Sequence, residues 1–187
     1  MARIIVSDNV SLDGVMQDPA GDEGFQRGGW VGLIRDRPDL GRFAFGEAMA
    51  CEAMLMGRRT YEWFAGRWPS REGVLADRLN RMPKYVVSST LDDLLWTNSS
   101  LLGGDLVDEV SRLKQTLDGD IVVPASVGIV RTLLEHGLVD ELRLRVFPVV
   151  LGDGERLFGA TGRQQQMRLV DSRTLDGDTA SLTYQRI

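Results

Sequence analysis

Residues 121–150 read IVVPASVGIVRTLLEHGLVDELRLRVFPVV, and this stretch decides the fold. Its first three residues are apolar and β-branched, which is typical of a short buried strand. After Ser126, which we expect to cap a helix, apolar residues recur at helical spacing until Gly137 ends the pattern. Residues 142–150 are then predicted to form another strand. A strand, a helix and a strand in this order favour parallel strands joined by a crossover helix.

The same alternation extends over the rest of the chain. Further strands are predicted at 4–6, 53–56 and 85–87, and further helices at 43–51, 60–64, 74–81 and 106–117. Residues 11–41, rich in Gly, Asp and Pro, are expected to form a long loop. Residues 167–175 and 179–185 flank Asp176-Gly177, a hairpin signal. We therefore predict one α/β domain over residues 1–187, with helices on both faces of a mostly parallel sheet and a C-terminal antiparallel hairpin.

Composition excludes several classes of function. The chain has 187 residues, a net charge of −5 and a sequence pI of about 5.0, which argues against a nucleic-acid-binding surface. With one cysteine (Cys51) and one histidine (His136), we expect no disulfide, no metal site and no Ser-His-Asp triad. No apolar run is long enough for a signal peptide or a membrane span, so the expected location is cytoplasmic.

Three predicted strands end in polar or glycine-containing residues. The first end is Gly57-Arg58-Arg59-Thr60, where free amides and two guanidinium groups suit a phosphate and Thr60 is the predicted helix cap. The second, Ser88-Ser89, offers hydroxyls to a ribose or phosphate. The third comprises Ser126, Val127, Gly128 and Ile129, whose amides could face a pyrophosphate. Solvated arginines and ordinary capped turns are the alternative interpretation of each. Ligands of such sheets bind at the carboxyl ends of the strands.

Two other residues are candidates for substrate contact. Asp13, in Ser11-Leu12-Asp13-Gly14, could orient a heterocycle or relay a proton, although the pattern by itself favours an Asp-Gly turn. Trp30 is either a stacking lid over a substrate or a core aromatic, and the pattern favours the core.

Several motifs in order resemble the dihydrofolate reductase-like superfamily, and more closely the reductase domain of the bifunctional riboflavin-biosynthesis deaminase/reductase and similar stand-alone bacterial proteins. The resemblance covers residues 2–186 and rests on the following stretches: Ser11-Leu12-Asp13-Gly14, Gly57-Arg58-Arg59-Thr60-Tyr61, Val86-Val87-Ser88-Ser89, 137–142 (GLVDEL), 148–154 (PVVLGDG) and Leu157-Phe158. It implies a three-layer α/β/α sandwich. No zinc motif of a deaminase is present in the sequence.

The resemblance also implies that the cofactor is NADPH. Gly57, Arg58, Arg59 and Thr60 match the segment that holds the adenosine 2′-phosphate and the pyrophosphate. In the same family Ser88 and Ser89 match positions along the adenosine ribose phosphate, and residues 126–129 match the helix start that completes the phosphate cradle. Between the two arginines, Arg58 occupies the position of the family's phosphate-binding arginine.

The resemblance leaves three functions open. It favours a hydride-transfer enzyme acting on 5-amino-6-(5-phosphoribosylamino)uracil or a similar heterocycle, with Asp13 and Trp30 at the substrate. A binding protein that has lost turnover is the alternative, because Pro124-Ala125 replaces the family's usual Gly-Gly. A true dihydrofolate reductase is disfavoured, because its acid after the tryptophan would fall on Arg35, one residue before Asp36.

The resemblance and the sequence both favour a homodimer. The stretch 142–147 alternates apolar and basic residues, and an apolar run continues through 149–151. If this strand lay near the edge of the sheet, its apolar side chains would need to be covered by a second copy.

Overall fold

The computed structural model describes residues 1–33, 37–159 and 164–187. Arg35 and Asp36, the positions considered for a reductase acid, lie outside the described residues. The strands are β1 (Ile4–Ser11), β2 (Ala53–Gly57), β3 (Lys84–Val87), β4 (Ser99–Leu102), β5 (Ile121–Pro124), β6 (Glu141–Phe147), β7 (Met167–Leu175) and β8 (Thr179–Arg186). The α-helices are α1 (Pro38–Ala50), α2 (Arg58–Ala65), α3 (Val74–Arg81), α4 (Leu106–Thr116) and α5 (Val127–Glu135), and a 3-10 turn spans Trp30–Leu33. Within the described ranges no helix is long and apolar enough to cross a bilayer.

The strands form one sheet in the order β4-β3-β2-β5-β1-β6-β8-β7. All neighbouring pairs from β4 to β6 are parallel, and β8 is antiparallel to both β6 and β7. Asp176 and Gly177 both have positive φ at the turn between β7 and β8, which is the conformation that an Asp-Gly hairpin turn prefers. The predicted α/β architecture, with its parallel sheet and terminal hairpin, is confirmed.

Each face of the sheet has its own core. One face packs against α4 and α5, through residues such as Ile4 and Val6 of β1 and Leu133 of α5. The other face packs against α1, α2 and α3, through residues such as Ile5 and Leu79. Successive residues of a strand point to opposite faces, so Ile4 and Ile5 each belong to a different core.

In strand β6 the side chains also alternate between the two faces of the sheet, and basic residues occupy one of these faces. Leu142 and Leu144 are buried in the core beneath α4 and α5, while Arg143 and Arg145 point to the side of α1. The strand lies between β1 and β8, so the premise that it is near an edge is wrong. Its basic residues are therefore enclosed by the fold.

Three local predictions are wrong, and one strand was not predicted. Helix α2 begins at Arg58 after Gly57, and Thr60 is not its cap. Strand β4 was not predicted, because its four residues lie partly exposed at an edge and carry little hydrophobic periodicity. Strand β6 ends at Phe147 rather than at 150. Ser126 stands at the N-cap of α5 but makes no capping hydrogen bond there.

Lys84, at the start of β3, has no exposed surface. Its ammonium donates to the carbonyl oxygens of Asn80 (3.0 Å), Met82 (2.8 Å) and Thr97 (2.9 Å). It also lies 4.2 Å from the centre of the Trp96 ring, a cation–π distance. One side chain thereby joins the end of α3 to the segment before β4.

We predict that Lys84→Met lowers the free energy of unfolding by about 2–3 kcal/mol, because the carbonyl oxygens lose their shared donor. Arg42→Met is the matched control, since the Arg42 side chain is 72% exposed and surface substitutions usually change stability by less than about 0.5 kcal/mol. Urea unfolding of the three proteins measures the difference. Equal stability of the two variants would contradict a structural role for Lys84.

Candidate functional site

A cavity of about 650 Å³ opens at the carboxyl ends of β1, β2 and β5. This is the end of the sheet at which parallel α/β folds bind ligands. The cavity is bounded by the N-termini of α2 and α5 and by the side of α1 that faces the sheet. It therefore contains both amide groups suited to anions and charged side chains from α1 and β6.

The two helix N-termini leave several amides without a partner. Neither α2 nor α5 has a side-chain cap among the described residues, and the first amides of a helix have no intrahelical acceptor. Arg58 and Arg59 are exposed in the first turn of α2. A Cβ added to Gly128, in the first turn of α5, would meet nothing within 4 Å. Open space, free amides and guanidinium groups fit a phosphate or pyrophosphate.

Ser126 connects these two helix starts. Its Oγ accepts a hydrogen bond from the Gly57 amide (3.1 Å), and its hydroxyl donates to Thr60 Oγ1 (2.9 Å). The exits of β2 and β5 are thus held together by one hydroxyl. The predicted proximity of Gly57, Thr60 and Ser126 is observed, although the hydroxyl braces the loop instead of capping the helix.

The loop before α5 has an unusual backbone. Ala125 (φ 48°) and Ser126 (φ 58°) are both in the left-handed region, which costs a residue with a Cβ roughly 1–2 kcal/mol. The Ala125 amide donates to Asp8 Oδ1 at 2.7 Å. Asp8 thereby holds, from β1, a conformation that glycine would adopt more easily.

Asp8 is itself unusual. It is 4% exposed, and its Oδ2 has no hydrogen-bond partner among the described residues. Burial raises the pKa of Asp8 to about 7, and the positive charge of Arg145 and the Ala125 amide oppose this rise. Its proton occupancy therefore changes near neutral pH.

A polar network lies on the α1 side of the cavity. Arg145 Nη1 donates to Ser7 Oγ (2.8 Å), and Arg145 Nε donates to Asn9 Oδ1 (2.6 Å). The Ser7 hydroxyl donates to Glu47 Oε2 at 2.7 Å. Ser7 and Asn9 share one face of β1, so the strand positions both acceptors for one guanidinium.

The other predicted cofactor residues occupy the same edge of the sheet. Arg58 forms no ion pair with a described residue, whereas Arg59 lies 3.5 Å from Glu23. Ser88 follows β3, but its Oγ accepts hydrogen bonds from the amides of Thr90 and Leu91. Neither Ser88 nor the exposed Ser89 lines the cavity.

The structure places Asp13 away from the cavity. Its carboxylate accepts hydrogen bonds from the amides of Leu151 (3.0 Å) and Gly152 (2.8 Å) and from the hydroxyl of Ser11 (2.7 Å). The Leu151 amide, the Ser11 hydroxyl and the Gly152 amide hold the pKa of Asp13 at about 2. A carboxylate so occupied braces a loop, and the role predicted for Asp13 in proton relay or substrate binding does not fit its position.

Trp30 is a core residue. It is 2% exposed, its indole Nε1 donates to the Gln17 carbonyl (2.9 Å), and its ring meets Phe147 edge-to-face at 5.5 Å. It does not line the cavity, so the structure supports the core interpretation and contradicts a stacking lid. Cys51 is likewise buried, and burial raises the pKa of its thiol to about 12.

Sequence reasoning did not identify Asp8, Glu47 or Arg145. The sequence pattern around two of these three residues could have indicated them. Asp8 is a charged residue within a strand that begins with a run of buried apolar residues, and Arg145 alternates with the apolar residues of β6. Glu47 carried no such signal, because an acidic residue on an amphipathic helix is ordinary.

The fold defines an α/β protein of the dihydrofolate reductase-like type, with two uncapped helix starts at one edge of its sheet. The family model of the RibD C-terminal domain matches residues 2–181, and the chain belongs to that family. This is a reductase-type domain, which makes the chain an oxidoreductase in general terms.

One relative and two solved structures resemble the chain over nearly its whole length. The chain is 28% identical to the uncharacterized protein YyaP of Bacillus subtilis, over 97% of this chain and 94% of that protein. A putative riboflavin biosynthesis protein from Shewanella sp. PV-4 superposes with a TM-score of 0.78 at 22% identity, covering 100% and 99% of the two chains. Dihydrofolate reductase from Enterococcus faecalis, complexed with NADP(H), gives 0.63 at 14% identity, covering 98% and 96%. The two structures establish the likeness of fold.

We predict that Asp13→Asn lowers the free energy of unfolding by about 1–3 kcal/mol. An asparagine side chain has one acceptor oxygen, whereas both oxygens of the Asp13 carboxylate accept hydrogen bonds from backbone amides. The pKa of Asp13 is depressed in the folded state, so its stabilising effect is present above about pH 4. It is lost as the pH falls through about 2. Chemical denaturation between pH 2 and pH 7 measures both effects.

Asp93→Asn is the matched control, because Asp93 is exposed. The control should unfold like the unsubstituted protein across the whole range. If Asp13→Asn did the same, the carboxylate would not brace the loop at 151–152.

Proposed function

We propose that the chain is an NADPH-dependent reductase that transfers a hydride to a heterocyclic metabolite. The observation that carries this proposal is the contact of Ser126 with Gly57 and Thr60, which we call the junction. At the junction two uncapped helix starts and Arg58 face one cavity. Membership of the RibD C-terminal domain family supports it. By the resemblance of the motifs, the favoured substrate is 5-amino-6-(5-phosphoribosylamino)uracil or a compound of similar chemistry.

The residues of the junction fit the phosphates of such a cofactor. The amides at the start of α5 suit a pyrophosphate, and Gly128 leaves the space in front of them open. Arg58, without an ion pair to a described residue, suits a 2′-phosphate, and Arg59 is partly neutralised by Glu23. When bound, the nicotinamide supplies the hydride.

The side chains of the cavity would then orient a substrate and exclude water. The apolar wall that α1, α2 and α3 present, with Ala48, Phe64 and Leu79 among its residues, lowers the local dielectric. The polar network of Ser7, Asn9, Glu47 and Arg145, described above, fixes donors and acceptors on the α1 side of the cavity. No step of this scheme uses Asp13 or Trp30.

We predict that Arg58→Ala weakens NADPH binding by roughly ten- to a hundredfold and leaves NADH binding nearly unchanged, because NADH lacks the 2′-phosphate. Arg59→Ala is the matched control and should have a smaller effect, since Arg59 has an acidic neighbour at 3.5 Å. Fluorescence titration of the unsubstituted protein and both variants with each cofactor gives the six dissociation constants.

Equal losses for NADPH and NADH would mean that Arg58 serves the shared pyrophosphate site or the fold. If the unsubstituted protein bound neither cofactor at millimolar concentration, the proposed function would be overturned. Binding of NADPH without its oxidation across a panel of pyrimidines and pterins would favour the alternative of a non-catalytic binding protein.

We also propose that the protein is a homodimer, but through a different strand from the one that the sequence suggested. In the described structure β7 is the last strand of the sheet, so one of its edges is unpaired. Leu169 and Val170 on this strand are 48% and 46% exposed. An unpaired edge strand that exposes two adjacent apolar residues favours pairing with a second copy.

We expect light scattering at micromolar concentration to give about twice the chain mass of 20.8 kDa. Leu169→Lys should shift the mass to that of the monomer, because a charge on an edge strand opposes pairing. Leu95→Lys, at a position 90% exposed in a loop, should not. A monomeric unsubstituted protein would contradict the proposal.

A further inference from the structure

Arg145 is a buried cation at the wall of the cavity. Its residue is 8% exposed, and its guanidinium carbon lies 5.1 Å from the centre of the Phe43 ring. Burial lowers the pKa of Arg145 from its ordinary value, and the negative charges of Glu47 and Asp8 oppose that effect. An arginine nevertheless stays protonated at neutral pH, so the fold holds a positive charge in a place that is costly for one.

The neighbouring Arg143 has carboxylate partners, which Arg145 lacks among the described residues. Arg143 lies 2.7 Å from Glu141 and 3.3 Å from Glu47, so two carboxylates contact its guanidinium. No carboxylate of a described residue lies within 4.0 Å of the Arg145 guanidinium. The groups that accept hydrogen bonds from Arg145 are a hydroxyl and an amide oxygen, which are both neutral.

The geometry leaves one part of the guanidinium available. Nε and Nη1 donate to Asn9 and Ser7, and Ser7 is held in turn by Glu47. Within the described part of the chain, Nη2 has no acceptor. Ser7 and Asn9 of β1, with Glu47 of α1 holding Ser7, therefore fix the plane of the guanidinium group. The N–H groups of Nη2 lie beside the cavity with no acceptor among the described residues.

We propose that Arg145 binds an anionic oxygen of the substrate, either a carboxylate or an ionised ring oxygen of a heterocycle. This inference rests on the proposed function, because it assigns the α1 side of the cavity to the substrate and the helix starts to the cofactor. A planar, fixed guanidinium matches a singly charged planar acceptor.

A phosphate is the poorer candidate for this position. The Glu47 carboxylate lies one hydrogen bond away through Ser7, and it would repel a dianion more strongly than a single charge. Phosphate groups have a better site at the uncapped helix starts, where there is no buried carboxylate in the first turn. The two ends of the cavity thus select different kinds of anion.

Orotate and uracil test the assignment, because they share a pyrimidine ring and differ by one carboxylate. We expect calorimetric titration of the unsubstituted protein to give roughly ten- to a hundredfold tighter binding of orotate, the range of a charge-assisted hydrogen bond. Arg145→Met, which removes the charge, should abolish that preference, and Arg145→Lys, which keeps the charge without the fork, should retain part of it. Arg42→Met is the control and should behave like the unsubstituted protein.

Two outcomes overturn the inference. One is an unsubstituted protein with no preference for orotate, including one that binds neither compound. The other is an Arg145→Met variant that unfolds cooperatively in urea and keeps the preference. Titration with NADPH reports separately on the proposed function, because Arg58 and not Arg145 lies at the helix starts.

Discussion

The hydroxyl of Ser126 is the contact on which the arrangement of the site depends. It accepts from the amide of Gly57 and donates to Thr60, and so joins the exits of β2 and β5. Because those strands are neighbours and parallel, their following helices begin side by side, with unpartnered amides directed to one edge of the sheet. Without the hydroxyl the pairing of β2 with β5 would still set the two helix starts side by side, but the hydrogen bonds between them would be lost. The side-by-side position of the two helix starts is therefore a product of sheet topology that one side chain reinforces.

A second constraint is the conformation of the loop that presents this hydroxyl. Two consecutive residues, Ala125 and Ser126, have positive φ, although neither is glycine. The carboxyl of Asp8 compensates by accepting from the Ala125 amide. Of these two residues, Ala125 stands where the resemblance of the motifs leads us to expect glycine, and the buried acid Asp8 holds its backbone. The raised pKa of Asp8 follows from the same burial, which links the loop to the protonation of a group on β1.

The cavity has two chemically different ends. At one end, helix starts and exposed arginines favour multiply charged phosphates. At the other, Arg145 is buried beside Ser7 and Asn9, and desolvation makes its single charge selective. Burial limits the screening of Arg145 by water, whereas Arg58 and Arg59 remain exposed at the other end. A reductase needs such separation, because it must hold a charged cofactor and a polar substrate with their reacting atoms in contact.

The sequence by itself determined the alternation of strands and helices, the hairpin at Asp176-Gly177 and the strand ends that carry Gly57 and Ser126. These features depend on local periodicity and turn chemistry, which act over a few residues. Only the tertiary structure decided which polar residues meet. Asp13 sits beside a backbone loop that accommodates its carboxylate, whereas Arg145 faces Ser7 and Asn9 because β6 pairs with β1 in a particular register. That register is a long-range property of the sheet, and no short stretch of sequence encodes it.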